Sequence, residues 1–188
     1  MILALSAEPT STRVWAQGAG GERAVAAKLD GLADVVVLHD RSLRRADGRL
    51  SRANVDHIAV APSGVWVIDA KTHRGALEVR RSGGLFSPRV EKLFIGGRDR
   101  SGLVEGLAKQ VAAVSDELAR VGAPMIVRGA LCFVGTELPW FGSSHLAEVP
   151  LVGRRGLGKL LAAPGDLTAQ DREVIAQYLH GRFPPAVR

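Results

Sequence analysis

The sequence predicts an α/β fold, a mixed β-sheet flanked by helices. Three observations carry this. Two apolar, β-branched runs stand back to back over residues 54–71. A long amphipathic segment follows at 101–121, with Leu103, Leu107, Val111, Val114, Leu118 and Val121 three or four apart. A further apolar run then occupies 125–135. Element by element, residues 1–17 carry no clear pattern and are set apart as an N-terminal segment expected to be partly disordered; residues 18–188 read as one domain. Gly18-Ala19-Gly20-Gly21 opens a helix over Glu22 to Leu32 with Val25, Leu29 and Leu32 as its apolar stripe. Asp34 to His39 is a strand, and 40–53 a polar, basic loop with its tip at Asp47-Gly48. After the central hairpin, Ala76 to Arg81 and Leu85 to Val90 form a second one around Ser82-Gly83-Gly84, continuing into Leu93-Phe94-Ile95. Met125 to Gly135 is a core strand and Ala147 to Val152 a shorter one. Thr168 to His180 is a closing helix with a threonine cap and an acidic first turn, Asp171 and Glu173.

The totals narrow the function classes. With 188 residues, 46% apolar and 23% charged, the chain suits one soluble folded domain. Its one cysteine, Cys132, excludes an intramolecular disulfide and a thiolate zinc cage, which fits a reducing cytoplasm. The apolar opening Met1 to Ala7 lacks the basic flank of a secretory signal, and no stretch approaches the ~20 apolar residues that span a bilayer. The formal charge of +6 is concentrated: residues 41–100 hold 13 Lys/Arg against 6 Asp/Glu, and the remainder is close to neutral. Arg41, Arg44, Arg45, Arg49 and Arg52 precede the hairpin, and Arg74, Arg80, Arg81, Arg89, Lys92, Arg98 and Arg100 follow it. Such a band suits a polyanion, because arginines that replace phosphate counterions release them; a solvated basic surface is the plainer alternative.

The hairpin carries the chemistry. Side chains alternate along a strand, so Asp56 shares a face with Ile58 and Val60, and Asp69 and Lys71 share one with Val65 and Val67. A carboxylate in a Val/Ile run costs several kcal/mol unless compensated. A turn at Ala61 to Gly64 with Gly64 left-handed pairs Val60 with Val65 and brings Asp56 opposite Asp69; a glycine bulge would instead put them on opposite faces. In the first register the two carboxylates can hold Mg²⁺, with the Ala70 carbonyl as a further oxygen ligand and waters and phosphate completing the shell. Lys71 stands where it can hold an attacking water or developing phosphorane charge. A strand-end salt bridge between Asp69 and Lys71 is the alternative. Glu22 falls on the inward face of its helix, where it either supports the metal or merely favours the helix dipole. Gln110 interrupts the stripe of the long helix, and its amide either orients water or phosphate or satisfies a backbone group.

Taken together, Gly21-Glu22, Asn54-x-Asp56-His57-Ile58-Ala59-Val60, Pro62-x-Gly64-Val65-x-Val67-Ile68-Asp69-x-Lys71 and Arg74-Gly75 resemble the nuclease-related domain (NERD) family. That family is similar to the PD-(D/E)XK, restriction-endonuclease-like nucleases. The resemblance runs over about residues 15–152, with Val55 in the place of the superfamily's proline. It implies a three-layer α-β-β-β-α-β core, here with an extra strand and a C-terminal helix. It also implies a Mg²⁺ site, in which Mn²⁺ can substitute, at Asp56 and Asp69, with Lys71 as the catalytic lysine, Glu22 as an accessory carboxylate and Gln110 at a family glutamine position. The expected activity is metal-dependent hydrolysis of phosphodiester bonds, with DNA as the partner held by Arg41, Arg44, Arg45, Arg52, His73 and Arg74. Cutting both strands of a duplex calls for two sites and so for a homodimer. A noncatalytic nucleic-acid-binding module and a protein-interaction domain remain the competing readings.

Other signals weigh less. Gly153-Arg154-Arg155-Gly156-Leu157-Gly158-Lys159 fits G-x-x-x-x-G-K, but Leu160 stands where a P-loop needs Ser or Thr, so a basic glycine turn is expected. His39-Asp40 reads as a strand end, His57 and Trp66 as core packing, and Trp140 and Phe141 as loop rings that could stack on a base or anchor the loop.

Overall fold

A strand buried on both faces organises the structure. In a computed structural model, which describes residues 10–44, 48–84, 87–123, 125–139 and 145–186, the first half of the chain runs α1 (Thr10–Asp30), β1 (Val36–Arg44), β2 (Leu50–Ala61), β3 (Gly64–Thr72), β4 (Leu77–Gly84), β5 (Ser87–Ile95) and β6 (Arg98–Asp99). There follow α2 (Gly102–Arg120), β7 (Val127–Val134), β8 (His145–Leu146), β9 (Val149–Gly153), α3 (Arg154–Leu161) and α4 (Ala169–Arg182). Six strands form one sheet in the order β1-β2-β3-β7-β9-β8, and β4, β5 and β6 form a smaller antiparallel one. β2 pairs antiparallel with β1 and β3, whereas β7 runs parallel to β3 and β9, so the large sheet is mixed, as expected. The parallel β3–β7 pair needs a crossover, and α2 lies within it. Ala130, Leu131 and Cys132 of β7 have no exposed surface, as for a parallel strand covered on both sides.

The period-two pattern of the hairpin sorts its side chains into two cores. Ile58, Val60, Val65 and Val67 pack with Leu107, Val114 and Leu118 of α2 and Leu179 of α4. Ala59, Trp66 and Ile68 pack on the other side with Val25 and Leu29 of α1 and Leu157 and Leu161 of α3. The result is three layers, helices on each side of a sheet, the restriction-endonuclease-like arrangement. The closing helix starts as its sequence indicates: the Thr168 side chain accepts from the Asp171 backbone N–H, and the Asp171 carboxylate accepts from that of Thr168. The apolar face of the small sheet, Leu77, Leu93 and Ile95, joins the first core. Among the described residues, no helix is long and apolar enough to cross a membrane.

Four expectations need correction. The first helix begins at Thr10 rather than Glu22, so the glycine run lies inside it; residues 1–9 of the expected N-terminal segment lie outside the described residues. A helix tolerates those glycines because packing against the sheet, not propensity, holds it there. β1 extends to Arg44 through what reads as loop, because the chain's end supports it: the Ser42 N–H donates to the Pro184 carbonyl and the Ala186 N–H to that of Asp40. The basic glycine turn at 153–159 is α3, nucleated from Gly153 and held by burial of Leu157 and Leu161. The short strands β6 and β8 were not anticipated, each being two residues long and without a periodic signature.

Candidate active site

The hairpin register is the one that brings the two aspartates together. Val60 pairs with Val65 and Ala61 with Gly64, whose φ is +126°, and the backbone pairing continues only to His57–Ile68. Beyond that point the Ala70 N–H donates to the Asp56 carboxylate (Oδ2) at 2.8 Å. The side chain thus takes up a donor where β2 and β3 part. Asp69 is buried, its side chain only 6% exposed, and receives the Lys71 ammonium at 2.6 Å on Oδ1. The strand-end salt bridge that stood as an alternative is therefore present, and it belongs to the same group as Asp56.

Electrostatically this is an acidic pair with too much charge. Burial, then the Asp69 charge, raises the pKa of Asp56 from 3.8 to about 7; a hydrogen bond shared with Asp69 adds to the rise, and Lys71 and the Ala70 N–H oppose it. Hard carboxylate oxygens that hold on to a proton for want of a counter-charge suit a small divalent cation, which takes one or two carboxylates and fills its remaining positions with water and phosphate. The donor set therefore fits Mg²⁺ or Mn²⁺, with the Ala70 carbonyl nearby in sequence.

Two openings flank the group. A cleft of about 640 Å³ is lined by Gly18 and Glu22 of α1, by Ala70, Lys71, Thr72, His73 and Arg74 at and after the end of β3, and by Ile95, Gly96, Arg98 and Arg100 around the β5–β6 turn. A smaller hollow of about 270 Å³ is lined by Glu22, His39, Asp40, Asp56 and His57 together with neighbouring residues of α1. Glu22, half-buried on α1, borders both. Its approach depends on Gly21, where a Cβ would lie 1.9 Å from Thr72 Oγ1. Glu22 and Asp56 line the smaller hollow together, and Asp56 is set against Asp69. Among the described residues no three His, Cys, Asp or Glu side chains are grouped so as to hold an ion by themselves, and the acidic centre is the Asp56–Asp69 pair.

The remaining residues singled out from the sequence divide. His73 and Arg74 line the cleft. His73 has its pKa lowered by burial, then by Arg100 and Lys71, so it is neutral near pH 7. Arg41 is not among the residues that line the cleft: it is buried, with Nη1 3.2 Å from His180 Nδ1, where Pro185 pairs against β1. Arg44 donates to the Gly48 carbonyl and lines a separate hollow beside Glu117, Arg120 and Arg182. Arg45 lies outside the described residues, as do Trp140, Phe141 and the side chain of Arg52. Gln110 is half-buried with its Oε1 lacking a hydrogen-bond partner, and it is not among the residues that line the cleft. Trp66 is core, as expected. His57 is buried too, but it is linked 2.8 Å from its Nδ1 to His39 Nδ1, whose Nε2 meets Asp30 at 2.9 Å, and burial lowers its pKa to about 4.

With this geometry in place, the comparison with known families is decisive for kinship. The nuclease-related domain (NERD) model matches residues 17–134, well over half of the chain. The chain belongs to the nuclease-related domain family. No curated protein and no solved structure matches it. The match spans α1 through β7 and so takes in Glu22, the hairpin, the cleft-facing arginines and α2. Sequence reasoning left Arg98 and Arg100 within a general basic band. Their signal was the charge excess over residues 41–100, but which arginines face the cleft depends on the Gly96-Gly97 turn, with φ of +54° and +75°.

Proposed function

We propose that this NERD domain is a Mg²⁺-dependent nuclease that hydrolyses phosphodiester bonds in DNA, with Mn²⁺ able to substitute. The observation that carries the reading is half-buried Asp56 set against buried Asp69, whose Oδ1 is bonded at 2.6 Å to Lys71, a residue that lines a basic cleft. Asp56 and Asp69 would hold the ion, with the Ala70 carbonyl as a further ligand and Glu22 in support. When bound, the ion supplies polarisation of a phosphoryl oxygen and a hydroxide nucleophile near neutral pH. Lys71 has two tasks: it compensates Asp69 at rest, and it offers N–H donors to the attacking water and to charge developing on phosphorus. His73 and Arg74 hold the substrate's phosphates in the cleft. Cys132, buried and unpaired, suits the reducing cytoplasm. Scission of both strands would take two copies of the chain.

A second reading, a noncatalytic nucleic-acid-binding module, draws on one observation: no third ligating side chain joins the acidic pair among the described residues. One experiment separates the two. Supercoiled, linear duplex and single-stranded DNA and single-stranded RNA are incubated with the protein in Mg²⁺, Mn²⁺ or EDTA, beside Asp69→Asn. The nuclease reading expects metal-dependent cleavage, strongest on DNA, that Asp69→Asn abolishes. Binding without cleavage in either metal selects the module.

A further inference from the structure

We propose that Arg98 and Arg100, carried by β6 and the residue after it, form with Arg74 a phosphate-gripping wall, through which the small sheet binds the sugar–phosphate backbone of nucleic acid without reading its bases. The proposal rests on the nuclease reading for the role of the cleft, and adds to it the surface that seats the substrate. Four observations support it. The cleft is lopsided in charge: among the described residues Lys71, Arg74, Arg98 and Arg100 line it against one carboxylate, Glu22. The cations of the small sheet fall into two sets. Arg80 is paired with Glu78, Arg81 with Glu91 and Lys92 with Asp99, whereas the three that line the cleft, Arg74, Arg98 and Arg100, make no ion pair among the described residues, as is true also of Arg89, which lies outside the cleft. Uncompensated charge of one sign beside a cleft is a field that attracts a polyanion.

The third observation is an unmet donor. Arg100 Nε, which can only donate, is buried without an acceptor, and His73 Nε2 on the same cleft is likewise without a partner. Buried polar groups left unpaired cost stability, and an acceptor brought by a ligand removes that cost. The fourth is fixed placement. A Cβ on Gly75 would lie 2.7 Å from the Gly96 Cα, and the Gly96 N–H donates to the Ala76 carbonyl, so the β5–β6 turn is locked onto the Arg74-Gly75 segment. The backbone that carries Arg98 and Arg100 is thereby fixed beside the cleft. Among the described residues that line the cleft there is no Phe, Tyr or Trp on which a base could stack, and contacts to phosphate position a strand without specifying its sequence.

The test measures binding apart from cleavage. Anisotropy of a labelled duplex of about 20 bp, and of one with scrambled sequence, is titrated in EDTA over about 50–200 mM KCl. The variants are Arg98→Ala/Arg100→Ala, Arg98→Lys/Arg100→Lys, and Arg155→Ala, an exposed residue of α3, as a control. The proposal expects the double alanine variant to flatten the log K against log[salt] slope by about 2, roughly one for each phosphate contact, and to bind at least about tenfold more weakly. The double lysine variant should keep the slope, Arg155→Ala should match the wild type, and the scrambled duplex should bind equally well. An unchanged slope in the double alanine variant overturns the proposal, as does a loss that lysine does not restore, or a strong preference between the two sequences. Because no metal is present, failure here and failure of the nuclease reading are distinct: wild type that binds with the expected slope but never cuts defeats only the latter.

Discussion

Replacing Asp56 by asparagine should stabilise the metal-free protein while removing its capacity to hold a cation. The asparagine carbonyl can still accept the Ala70 N–H that Asp56 accepts at 2.8 Å, and its amide can donate to Asp69 in place of the shared proton. Only the charge is lost. The folded-state pKa of Asp56 lies near 7 against an ordinary 3.8, burial being the larger cause and Asp69 the next. A carboxyl raised in this way binds its proton more tightly folded than unfolded. Its ionisation therefore costs the folded state nothing below pH ~4, an increasing amount between pH ~4 and 7, and a constant amount above. At about 1.4 kcal/mol per tenfold change in proton affinity, a rise from 3.8 to about 7 corresponds to roughly 4 kcal/mol as an upper bound. Relaxation around the ionised pair should leave about 1–2 kcal/mol, or roughly 2–8 °C in Tm. Thermal melts in EDTA from pH 4 to 8 measure it. Asp56→Asn should match wild type at the acid end and melt higher from pH 7 upward, and Mg²⁺ should raise the Tm of wild type more than that of the variant. An asparagine variant that melts lower than wild type at pH 8, or whose advantage ignores pH, would refute the reasoning.

Three further perturbations bear on the same structure. Lys71→Ala should cut cleavage at least about 100-fold, because the donor to the developing charge is gone, yet leave Mn²⁺ binding intact; equal loss of both would make the lysine a structural element only. Gly21→Ala places a methyl 1.9 Å from Thr72 Oγ1 and should displace α1 with Glu22, costing about 1–3 kcal/mol in urea titrations. Thr72→Ala in the same chain should recover part of that. Glu117 accepts from the Tyr178 hydroxyl at 2.8 Å and from Arg182 Nε at 2.6 Å, tying α2 to α4. Its burial raises the pKa, but these donors outweigh that and leave it lowered. Its stabilisation is thus present above the ordinary carboxylate pKa and lost as pH falls through the depressed value. Glu117→Ala should therefore cost about 1–3 kcal/mol at pH 7, with the gap to wild type closing in acid.

What the sequence disclosed, and what it withheld, follows from the range of the forces involved. The Val/Ile alternation of the hairpin and the three–four spacing of α2 are local patterns with one buried face, so element type was legible; the Asp56–Asp69 register was not fixed locally, because a one-residue change in the turn moves a carboxylate to the other face. The Thr168 cap was legible for the same reason, since a capping box closes within four residues. The start of α1 was not: Gly18, Gly20 and Gly21 disfavour a helix locally, and only contact with the sheet overrides them, with Gly21 packed against Thr72. The fate of the arginines was equally hidden. Arg41 and Arg98 are alike in a charge count, yet one is buried under the returning chain end and the other faces the cleft. Glu22 was read as inward from its helical phase, and it does border both openings, but a helical phase does not fix distance to a sheet.

The account turns on whether Asp56 and Asp69 together hold a divalent ion. Mn²⁺ titrated into the EDTA-stripped protein and followed by electron paramagnetic resonance measures this without reference to substrate or turnover. We expect saturable Mn²⁺ binding to the wild type that weakens at least about tenfold in Asp56→Asn and in Asp69→Asn, with Mg²⁺ displacing the ion. Wild type that leaves Mn²⁺ free in solution, or aspartate variants that bind it as tightly as wild type, would contradict it.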